Sequence, residues 1–455
     1  MSFPDTIYAL SSGFDKSAVS IIRTSGRHSL PALRKLVRNR DTFPHRHAAL
    51  CDFFDPQDDI ILDKGLALYF KAPASYTGED VVEYNIHGGG AVVRRFLNAL
   101  GSISGLREAE PGEFTKRAFV NGKMDLTSAE AVADLVDAET EAQRVQALDQ
   151  IDGGLAVLYQ RWAEKLKRSL AYAEATIDFP DEDIPVEDIY NQIRPEIDVV
   201  KREIKSHLHD YQSGERIRSG FKVAVIGPPN AGKSSLVNAL ARRDICITSP
   251  APGTTRDLVE AHLDIAGYPV VMIDTAGLRP GQLKPEENLY DSIEAEGIRR
   301  AVRAARDADI RLLVFDASTL PEISHDTLEL MNESAIVIFN KIENAGGDIP
   351  ELGSNQIIRL SVLEETGFDV LINVIREKIT GMIGLRSGPA PTRERHRYAL
   401  EKCVAALEAI SGSAVETELL AENIRHALKE IGRITGRTDV EDLLDVIFKD
   451  FCIGK

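Results

Sequence analysis

A glycine-rich run that ends in lysine and serine is the strongest chemical signal in the sequence. Phe221-Lys-Val-Ala-Val-Ile reads as a buried strand, and Gly227-Pro-Pro-Asn-Ala-Gly-Lys-Ser234 follows it directly, a full match to GxxxxGK[ST]. Glycines in this pattern let backbone N–H groups and the next helix N-terminus surround phosphate oxygens. Lys233 is expected to reach the β- and γ-phosphates, and the Ser234 hydroxyl to hold Mg²⁺. The run therefore predicts a phosphate-binding loop, here called the P-loop.

Further motifs follow the P-loop in the order that guanine-nucleotide-binding proteins carry them. Gly253-Thr-Thr-Arg-Asp offers Thr255 as a mobile-loop hydroxyl that completes the Mg²⁺ shell. A predicted strand leads to Asp274-Thr-Ala-Gly277, which offers a carboxylate near the metal and a glycine N–H for the γ-phosphate. Asn340-Lys-Ile-Glu343 follows another predicted strand, and Ser361 follows the last one. This order predicts a translation-factor-like GTPase rather than an ATPase.

Two positions depart from the usual GTPase pattern. Glu343 replaces an Asp whose carboxylate accepts hydrogen bonds from the guanine ring N–H and amine. The longer side chain keeps the charge, and we hypothesise that guanine selectivity persists. Leu278 stands where Ras-type enzymes have the Gln that orients the attacking water. Leucine cannot orient water, so the enzyme is either slow or uses another carboxylate.

The surrounding elements divide the chain of 455 residues into zones. Short apolar runs alternate with turns up to about Asn121, which is typical of an α+β domain. Apolar residues then recur at helical spacing to Gln212. From Phe221 to about Ile383 strands and helices alternate, as in a doubly wound sheet, and the remainder is helical again. An α/β domain inserted into a helical domain is the simplest interpretation.

These zones predict a multidomain α/β and α protein with explicit boundaries. Residues 1–122 form the N-terminal α+β domain, and residues 123–215 the first part of a discontinuous helical domain. An inserted Ras-like P-loop GTPase domain, the G domain, spans residues 216–383. Residues 384–455 form the second part of the helical domain.

Composition and charge exclude several classes of protein. Runs of about 18 or more apolar residues are absent and the N-terminus lacks a secretory leader, so no membrane span is expected. The 4 scattered cysteines have no zinc-site spacing, which favours a reduced, cytoplasmic setting. A net charge of −17 means that RNA contact requires a local basic patch or a partner. One basic cluster could contact RNA phosphates, although a solvated helix face is the favoured interpretation: Arg34, Lys35, Arg38 and Arg40.

Motifs outside the G domain resemble one family. The N-terminal zone carries Ser75-Tyr-Thr-Gly-Glu-Asp-Val-Val-Glu83, His87-Gly-Gly and Pro111-Gly-Glu-Phe-Thr-Lys-Arg-Ala-Phe-Val-Asn-Gly-Lys-Met-Asp-Leu126. The chain ends Phe451-Cys-Ile-Gly-Lys455. Together with the GTPase series, these runs resemble the MnmE (TrmE) family of tRNA modification GTPases over essentially the whole chain. A regulatory GTPase of ribosome assembly, or a nucleotide-dependent scaffold for the modification complex, are the alternatives.

The resemblance implies a reaction on tRNA. With the flavoprotein MnmG, which carries FAD and NADH, such a protein adds a carboxymethylaminomethyl or aminomethyl group to carbon 5 of the wobble uridine of certain tRNAs. The carbon comes from tetrahydrofolate in its 5,10-methylene or 5-formyl form. A folate-binding-like N-terminal domain that also dimerises is implied, and surface ion pairing is the alternative for its charged residues. The residues that match the family's folate site are Arg23, Glu83, Lys123 and Lys455.

The resemblance also implies how hydrolysis proceeds without the missing Gln. Family members are similar to potassium-dependent GTPases whose G domains dimerise, so that K⁺ supplies the positive charge of an arginine finger. Glu294 matches the carboxylate that orients water, and Glu296 is a competing assignment. The implied potassium ligands are Asn230, Ser249, Ala251 and Thr254. The residues assigned to GTP binding are Asn230, Ala231, Gly232, Lys233, Ser234, Ser235, Ser249, Thr254, Thr255, Asp274, Thr275, Ala276, Gly277, Asn340, Lys341, Glu343 and Ser361.

Cys452 is a further candidate catalytic residue, because it lies in the terminal motif near the implied folate site. As a thiolate it could act as nucleophile or transfer a proton. A small buried hydrophobic residue is the alternative. His87 is expected to support the glycine-rich turn after a strand rather than to bind a metal.

Overall fold

The computed structural model describes residues 3–13, 16–38, 40–178, 186–245, 260–274, 306–352, 356–384, 388–410, 417–438, 444, 447–449, 451, 452 and 454. The chain divides into two compact units. The first comprises Met1–Ala133, Ile151–Ile197 and Ala405–Lys455, and the second comprises Asp134–Gln150 and Asp198–Val404. Each unit contains its own six-stranded sheet.

The sheet of the first unit has the strand order β3-β4-β5-β2-β1-β6. Neighbouring strands are antiparallel except for β1 and β6, which are parallel. Its strands are β1 (Thr6–Leu10), β2 (Ser17–Ser25), β3 (Ala48–Phe54), β4 (Ile61–Phe70), β5 (Val81–Gly88) and β6 (Leu106–Glu108). Phe53, Tyr84 and Phe96 meet at the centre of its core, with ring centroids 5.2–5.8 Å apart.

Helices cover this sheet and extend the chain beyond it. The helices before the second sheet are α1 (Ser29–Leu36), α2 (Gly90–Gly101), α3 (Glu113–Val120), α4 (Leu126–Val136), α5 (Glu141–Ile151), α6 (Gly154–Asp178), α7 (Val186–His209) and α8 (Tyr211–Ser219). Leu155, Trp162 and Leu166 lie on one face of α6 at helical spacing and are almost completely buried. Helix α6 packs against α13 (Thr417–Thr435) within the first unit.

The sheet of the second unit has the order β12-β11-β10-β7-β9-β8. Its strands are β7 (Phe221–Ile226), β8 (Glu260–Ile265), β9 (Tyr268–Asp274), β10 (Ile310–Asp316), β11 (Ala335–Asn340) and β12 (Ile357–Arg359). All neighbours are parallel except β8, which is antiparallel to β9. The strand order reverses beside β7, and open α/β sheets bind ligands at the carboxyl ends of the strands at such a point.

The apolar runs of these strands are buried on both faces, which explains why they read as continuous hydrophobic segments. The remaining helices in the described part of the chain are α9 (Lys233–Leu240), α10 (His325–Leu328), α11 (Phe368–Ile383), α12 (Glu394–Ala409) and α13. Short helical turns span Ala241–Ile245, Ala317–Thr319 and Ile342–Asn344.

The predicted multidomain α/β and α character of the chain is confirmed by these two sheets and their helices. The domain boundaries at residues 122, 215 and 383 remain predictions. Of the helices in the described part of the chain, none combines the length and apolar composition needed to cross a membrane.

Candidate functional site

The P-loop follows β7 and leads into α9, and two of its glycines are required by the backbone. A Cβ atom on Gly227 would lie 2.2 Å from the carbonyl oxygen of Val314. Gly232 has φ +89° and a Cβ there would lie 2.3 Å from Asn340 Nδ2. Both residues therefore allow the loop to pass close to neighbouring strands, as a phosphate-wrapping backbone must.

Lys233 is the first residue of α9, and its side chain folds back over the P-loop. Its Nζ atom donates to the carbonyl oxygens of Gly227 and Pro228, both at 3.0 Å. Among the residues that the structure describes, no carboxylate is ion-paired with it. Burial lowers the pKa of Lys233, and the attraction of Asp274 opposes that shift. A buried ammonium with neutral partners is well suited to bind phosphate oxygens.

Asn340 connects the end of β11 to the P-loop. Its Nδ2 atom donates to the carbonyl oxygen of Ala231 at 2.9 Å, and its Oδ1 atom accepts from the Val362 N–H at 3.3 Å. The side chain is 2% exposed, so these hydrogen bonds fix its orientation in a dry environment. Asn340 therefore fixes the position of the P-loop relative to the segment after β12.

Lys341 makes a second connection to the P-loop. Its Nζ atom donates to the carbonyl oxygen of Asn230 at 2.8 Å and to Asp316 Oδ2 at 2.6 Å. Burial raises the pKa of Asp316, but hydrogen bonds from Lys341 and Ser318 outweigh this effect and hold the pKa below its usual value. Asp316 was not among the site residues predicted from the sequence. Its signal is its place at the carboxyl end of β10, the strand beside β7.

Glu343 lies in the helical turn Ile342–Asn344 and is half-buried. Its Oε1 atom accepts from Asn344 Nδ2 at 3.5 Å. Its Oε2 atom is buried and has no hydrogen-bond partner among the described residues. A buried carboxylate oxygen without a partner is costly, and an N–H donor at this position would satisfy it. The guanine edge, with a ring N–H beside an amine, provides such donors.

The described candidates for GTP binding gather at the carboxyl edge of the second sheet. Ser234 and Ser235 are exposed on the first turn of α9, and Asp274 ends β9. Ser361 follows β12, is completely buried, and accepts from the Glu364 N–H at 3.0 Å. The remaining candidates lie outside the described residues: Ser249, Ala251, Thr254, Thr255, Thr275, Ala276, Gly277, Leu278, Glu294, Glu296 and Lys455.

Arg23 and Glu83, two of the folate candidates, form an ion pair in the first unit. They are directly opposite in the register of β2 and β5. Arg23 Nε and Nη2 donate to Glu83 Oε1 at 3.0 and 2.8 Å, and both side chains are about one-fifth exposed. The guanidinium lies 5.5 Å from the ring centroid of Tyr76 and 5.8 Å from that of Phe114. Charged groups and aromatic faces therefore meet at this point of the sheet.

Lys123 approaches the same region through the loop before β5. Its Nζ atom donates to the carbonyl oxygen of Pro73 at 3.0 Å, in the loop that carries Tyr76. The side chain is exposed and has no direct contact with Arg23 or Glu83. The structure thus brings Lys123 to the loop beside the pair, but not onto the pair itself.

The C-terminal motif packs against the start of the first unit. The carbonyl oxygen of Cys452 accepts from the Gly112 N–H at 3.3 Å, and the Gly454 carbonyl oxygen accepts from Ser11 Oγ at 3.1 Å. Gly454 has φ +98°, and a Cβ atom there would lie 2.1 Å from the carbonyl oxygen of Leu10. The side chain of Cys452 is exposed, so the buried-hydrophobic alternative does not apply.

The Pro111–Leu126 run, so specific in the sequence, contains a buried ion network. Arg117 is completely buried and its Nη2 atom donates to Asp5 and Glu113, both at 2.9 Å. Its Nη1 atom donates to Glu79 at 3.1 Å. Burial raises the pKa of Glu113, but hydrogen bonds from Arg107 and Arg117 outweigh this effect and hold the pKa below its usual value. This part of the run therefore stabilises the fold.

His87, expected to support a turn, lies one residue before the end of β5 and pairs with Asp63. Its Nδ1 atom lies 2.8 Å from Asp63 Oδ1, and its backbone N–H donates to Asp63 Oδ2 at 2.7 Å. In the described part of the chain, no group of three or more His, Cys, Asp and Glu side chains could hold a metal ion.

Two family models cover nearly the whole chain. The model of the MnmE helical domain matches residues 126–452, and that of the GTP-binding protein TrmE N-terminus matches residues 6–123. A tRNA modification GTPase MnmE from Parvibaculum lavamentivorans is 47% identical over 99% of this chain and 100% of its own length. The chain belongs to the MnmE family of tRNA modification GTPases. The predicted GTPase activity, GTP binding and P-loop are therefore confirmed at the level of the MnmE family.

MnmE relatives extend to eukaryotes. The mitochondrial 5-taurinomethyluridine-[tRNA] synthase subunit GTPB3 of Danio rerio is 43% identical over 99% of this chain and 93% of its own length. Among solved structures, the G domain of the T. maritima FeoB iron transporter is similar to this chain, with 26% identity and a TM-score of 0.26. That match covers 36% of this chain and 99% of the FeoB domain.

Proposed function

We propose that this chain, acting with the flavoprotein MnmG, adds a carboxymethylaminomethyl or aminomethyl group to carbon 5 of the wobble uridine of certain tRNAs. FAD and NADH belong to the partner, and tetrahydrofolate donates the carbon. The observation that carries the proposal is full-length similarity to proteins named for tRNA modification. The Danio rerio relative supports it further, since its name specifies a modified uridine and a synthase subunit.

GTP is bound by the residues at the carboxyl edge of the second sheet. Lys233, whose Nζ atom lies over the P-loop, binds the β- and γ-phosphates, and the unpaired Oε2 atom of Glu343 accepts hydrogen bonds from guanine. Ser234, exposed at the start of α9, and Thr255 hold Mg²⁺, which neutralises phosphate charge. Asp274, at the end of β9, places a carboxylate near this Mg²⁺ ion.

A second cation, K⁺, activates hydrolysis when two G domains of a homodimer meet. It supplies positive charge where other GTPases use an arginine finger. Asn230 is exposed in the P-loop with φ +67°, which suits a ligand at the domain surface. Ser249, Ala251 and Thr254 complete the potassium ligands, and Glu294 orients the attacking water, with Glu296 as the competing assignment.

Tetrahydrofolate binds beside Arg23, Glu83, Lys123 and Lys455. The pair of Arg23 and Glu83 fits this ligand because it is partly exposed and flanked by aromatic rings that can face a pterin. Cys452 supplies an exposed thiol on the segment that packs against the start of this domain. The segment contacts Gly112, two residues before Phe114, whose ring faces Arg23.

The reconstituted reaction tests the proposal. The chain, MnmG, an unmodified tRNA, a tetrahydrofolate donor, glycine or an ammonium salt as the amine donor, FAD, NADH, Mg²⁺ and GTP are combined in potassium or sodium chloride at matched ionic strength. Nucleosides are measured by mass spectrometry and GTP hydrolysis is followed in parallel. Modified uridine and fast hydrolysis are expected in potassium alone. Arg23→Ala is expected to lose modification but keep GTP hydrolysis, whereas the matched control Arg27→Ala keeps both.

Two results would contradict the proposal. Equal slow hydrolysis in both salts would remove the potassium mechanism. Modification that survives in Glu294→Ala, with GTP bound but not hydrolysed, would favour the scaffold alternative.

A further inference from the structure

A groove between α6 and α13 combines an apolar wall with a basic rim. It encloses a cavity of about 420 Å³ in the first unit. Tyr159 and Ile431, both almost completely buried, contribute to its apolar wall. Among the described residues, those that line the groove include no Asp or Glu. The basic side chains that line this α6–α13 groove are Lys167, Arg425, Lys429 and Arg437.

The positive charge of the groove is only partly balanced. Arg425 pairs with Glu174 at 2.8 Å and with Glu422 at 3.2 Å. Lys167 and Arg437 have no carboxylate within ion-pair distance among the described residues, and Arg437 instead donates to the amide oxygen of Gln160. Unbalanced positive charge on a chain of net charge −17 marks a place where an anion is attracted.

We propose that the α6–α13 groove binds a phosphodiester segment of the tRNA. The proposal rests on the proposed function, which makes tRNA the substrate. Phosphates would meet the basic rim, while a ribose or base would pack against the apolar wall. Thr435, Thr438 and Gln160 add hydroxyl and amide groups that can bond to sugar and phosphate oxygens.

Charge complementarity favours RNA over an acidic protein segment as the occupant. Lys167 and Arg437, which have no carboxylate partner among the described residues, suit closely spaced phosphates, which carry one charge per nucleotide. The other basic cluster of the first unit is less suited, because Arg38 is paired with Asp59 and packs over the Phe54 ring. A strongly acidic chain needs a local basic surface to approach RNA, and the groove provides one.

Salt-dependent binding of a fluorescently labelled, unmodified tRNA to the full-length chain tests the groove. Lys167→Ala is compared with Arg168→Ala, which removes the same charge from an exposed neighbour on α6 that does not line the groove. Lys167→Ala is expected to lower the slope of log affinity against log salt by about 1. Affinity at 0.1 M salt falls by roughly five- to tenfold. Arg168→Ala should change neither quantity, and GTP hydrolysis should be unaltered in both variants.

The double variant Lys167→Ala/Arg437→Ala extends the test, with an expected slope change of about 2. Slopes and affinities equal to those of Arg168→Ala would overturn the proposal. So would intact tRNA binding together with lost MnmG binding, since the groove would then hold a protein segment. If the groove proposal is wrong, the wild-type chain still modifies uridine. If the proposed function is wrong, the wild-type chain does not modify uridine, and the salt slopes of the variants are unaffected.

Discussion

Two buried cations, Arg117 in the first unit and Lys233 in the second, have opposite surroundings. Arg117 is 0% exposed and is ion-paired with three carboxylates, those of Asp5, Glu79 and Glu113. Lys233 is 7% exposed, but its hydrogen bonds go to two backbone carbonyl oxygens. Both residues lie in runs that are highly specific in the sequence.

The difference separates a residue that stabilises the fold from one that awaits a ligand. A buried cation surrounded by carboxylates is compensated within the protein, and no charge remains for a ligand. A buried cation held by neutral oxygens keeps most of its charge uncompensated, so an anion gains strongly by binding there. Burial and partner charge together therefore distinguish the two roles better than either motif alone.

Arg117→Met offers the largest expected effect on this comparison. It leaves three carboxylates close together without their cation, and the free energy of unfolding is expected to fall by about 3–5 kcal/mol. Urea unfolding followed by circular dichroism measures the change, with the exposed Arg94→Met as control. GTP hydrolysis by folded protein should persist, because Arg117 is remote in sequence and belongs to the other unit. A stability equal to that of the control would contradict the structural role.

Lys233→Ala is expected to have the converse effect. GTP hydrolysis should fall by about 10²–10³-fold, because the variant removes a preorganised positive charge that stabilises the phosphates. Stability should change by no more than about 1 kcal/mol, since water can satisfy the two carbonyl oxygens. Steady-state phosphate release and urea unfolding are measured beside the exposed Lys222→Ala. Hydrolysis at the control's rate would remove the distinction.

Glu343→Gln tests whether the unpaired carboxylate oxygen of Glu343, like the ammonium group of Lys233, serves to bind the nucleotide. The amide presents a donor as well as an acceptor to guanine, so the preference for GTP over ATP should fall about 10–100-fold. Competition between the two nucleotides measures the preference, and Glu351→Gln, exposed on the same unit, is the matched control. An unchanged preference would assign guanine recognition to other groups.

Local features of the nucleotide site were predictable, because a strand, a glycine-rich loop and a helix start are consecutive in the chain. The sequence predicted the strand before the P-loop and a helix directly after it. It also predicted that Asn340 follows a buried strand. The sequence could not predict that the Oε2 atom of Glu343 lacks a hydrogen-bond partner, because this depends on how the turn packs.

Contacts between distant segments were not predictable from one sequence. Arg117 and Asp5 are 112 residues apart, so nothing local indicates that the arginine is buried among carboxylates. The pairing of Arg23 with Glu83 depends on the register of β2 and β5. The basic rim of the α6–α13 groove likewise arises from two helices that are far apart in sequence, whereas the sequence drew attention to the contiguous Arg34–Arg40 cluster.

The packing of Gly454 on Leu10 has a consequence for biosynthesis. Ser11 leaves the ribosome long before Gly454, which follows 443 residues later, yet the two are hydrogen-bonded in the folded chain. Domains generally fold in order of synthesis, and a long loop costs entropy to close. The first strand therefore lacks this neighbour until the whole G domain has been translated. Nascent chains stalled before residue 454 should leave the end of the first strand without this contact, and bulky fusions at the C-terminus should slow the last folding step.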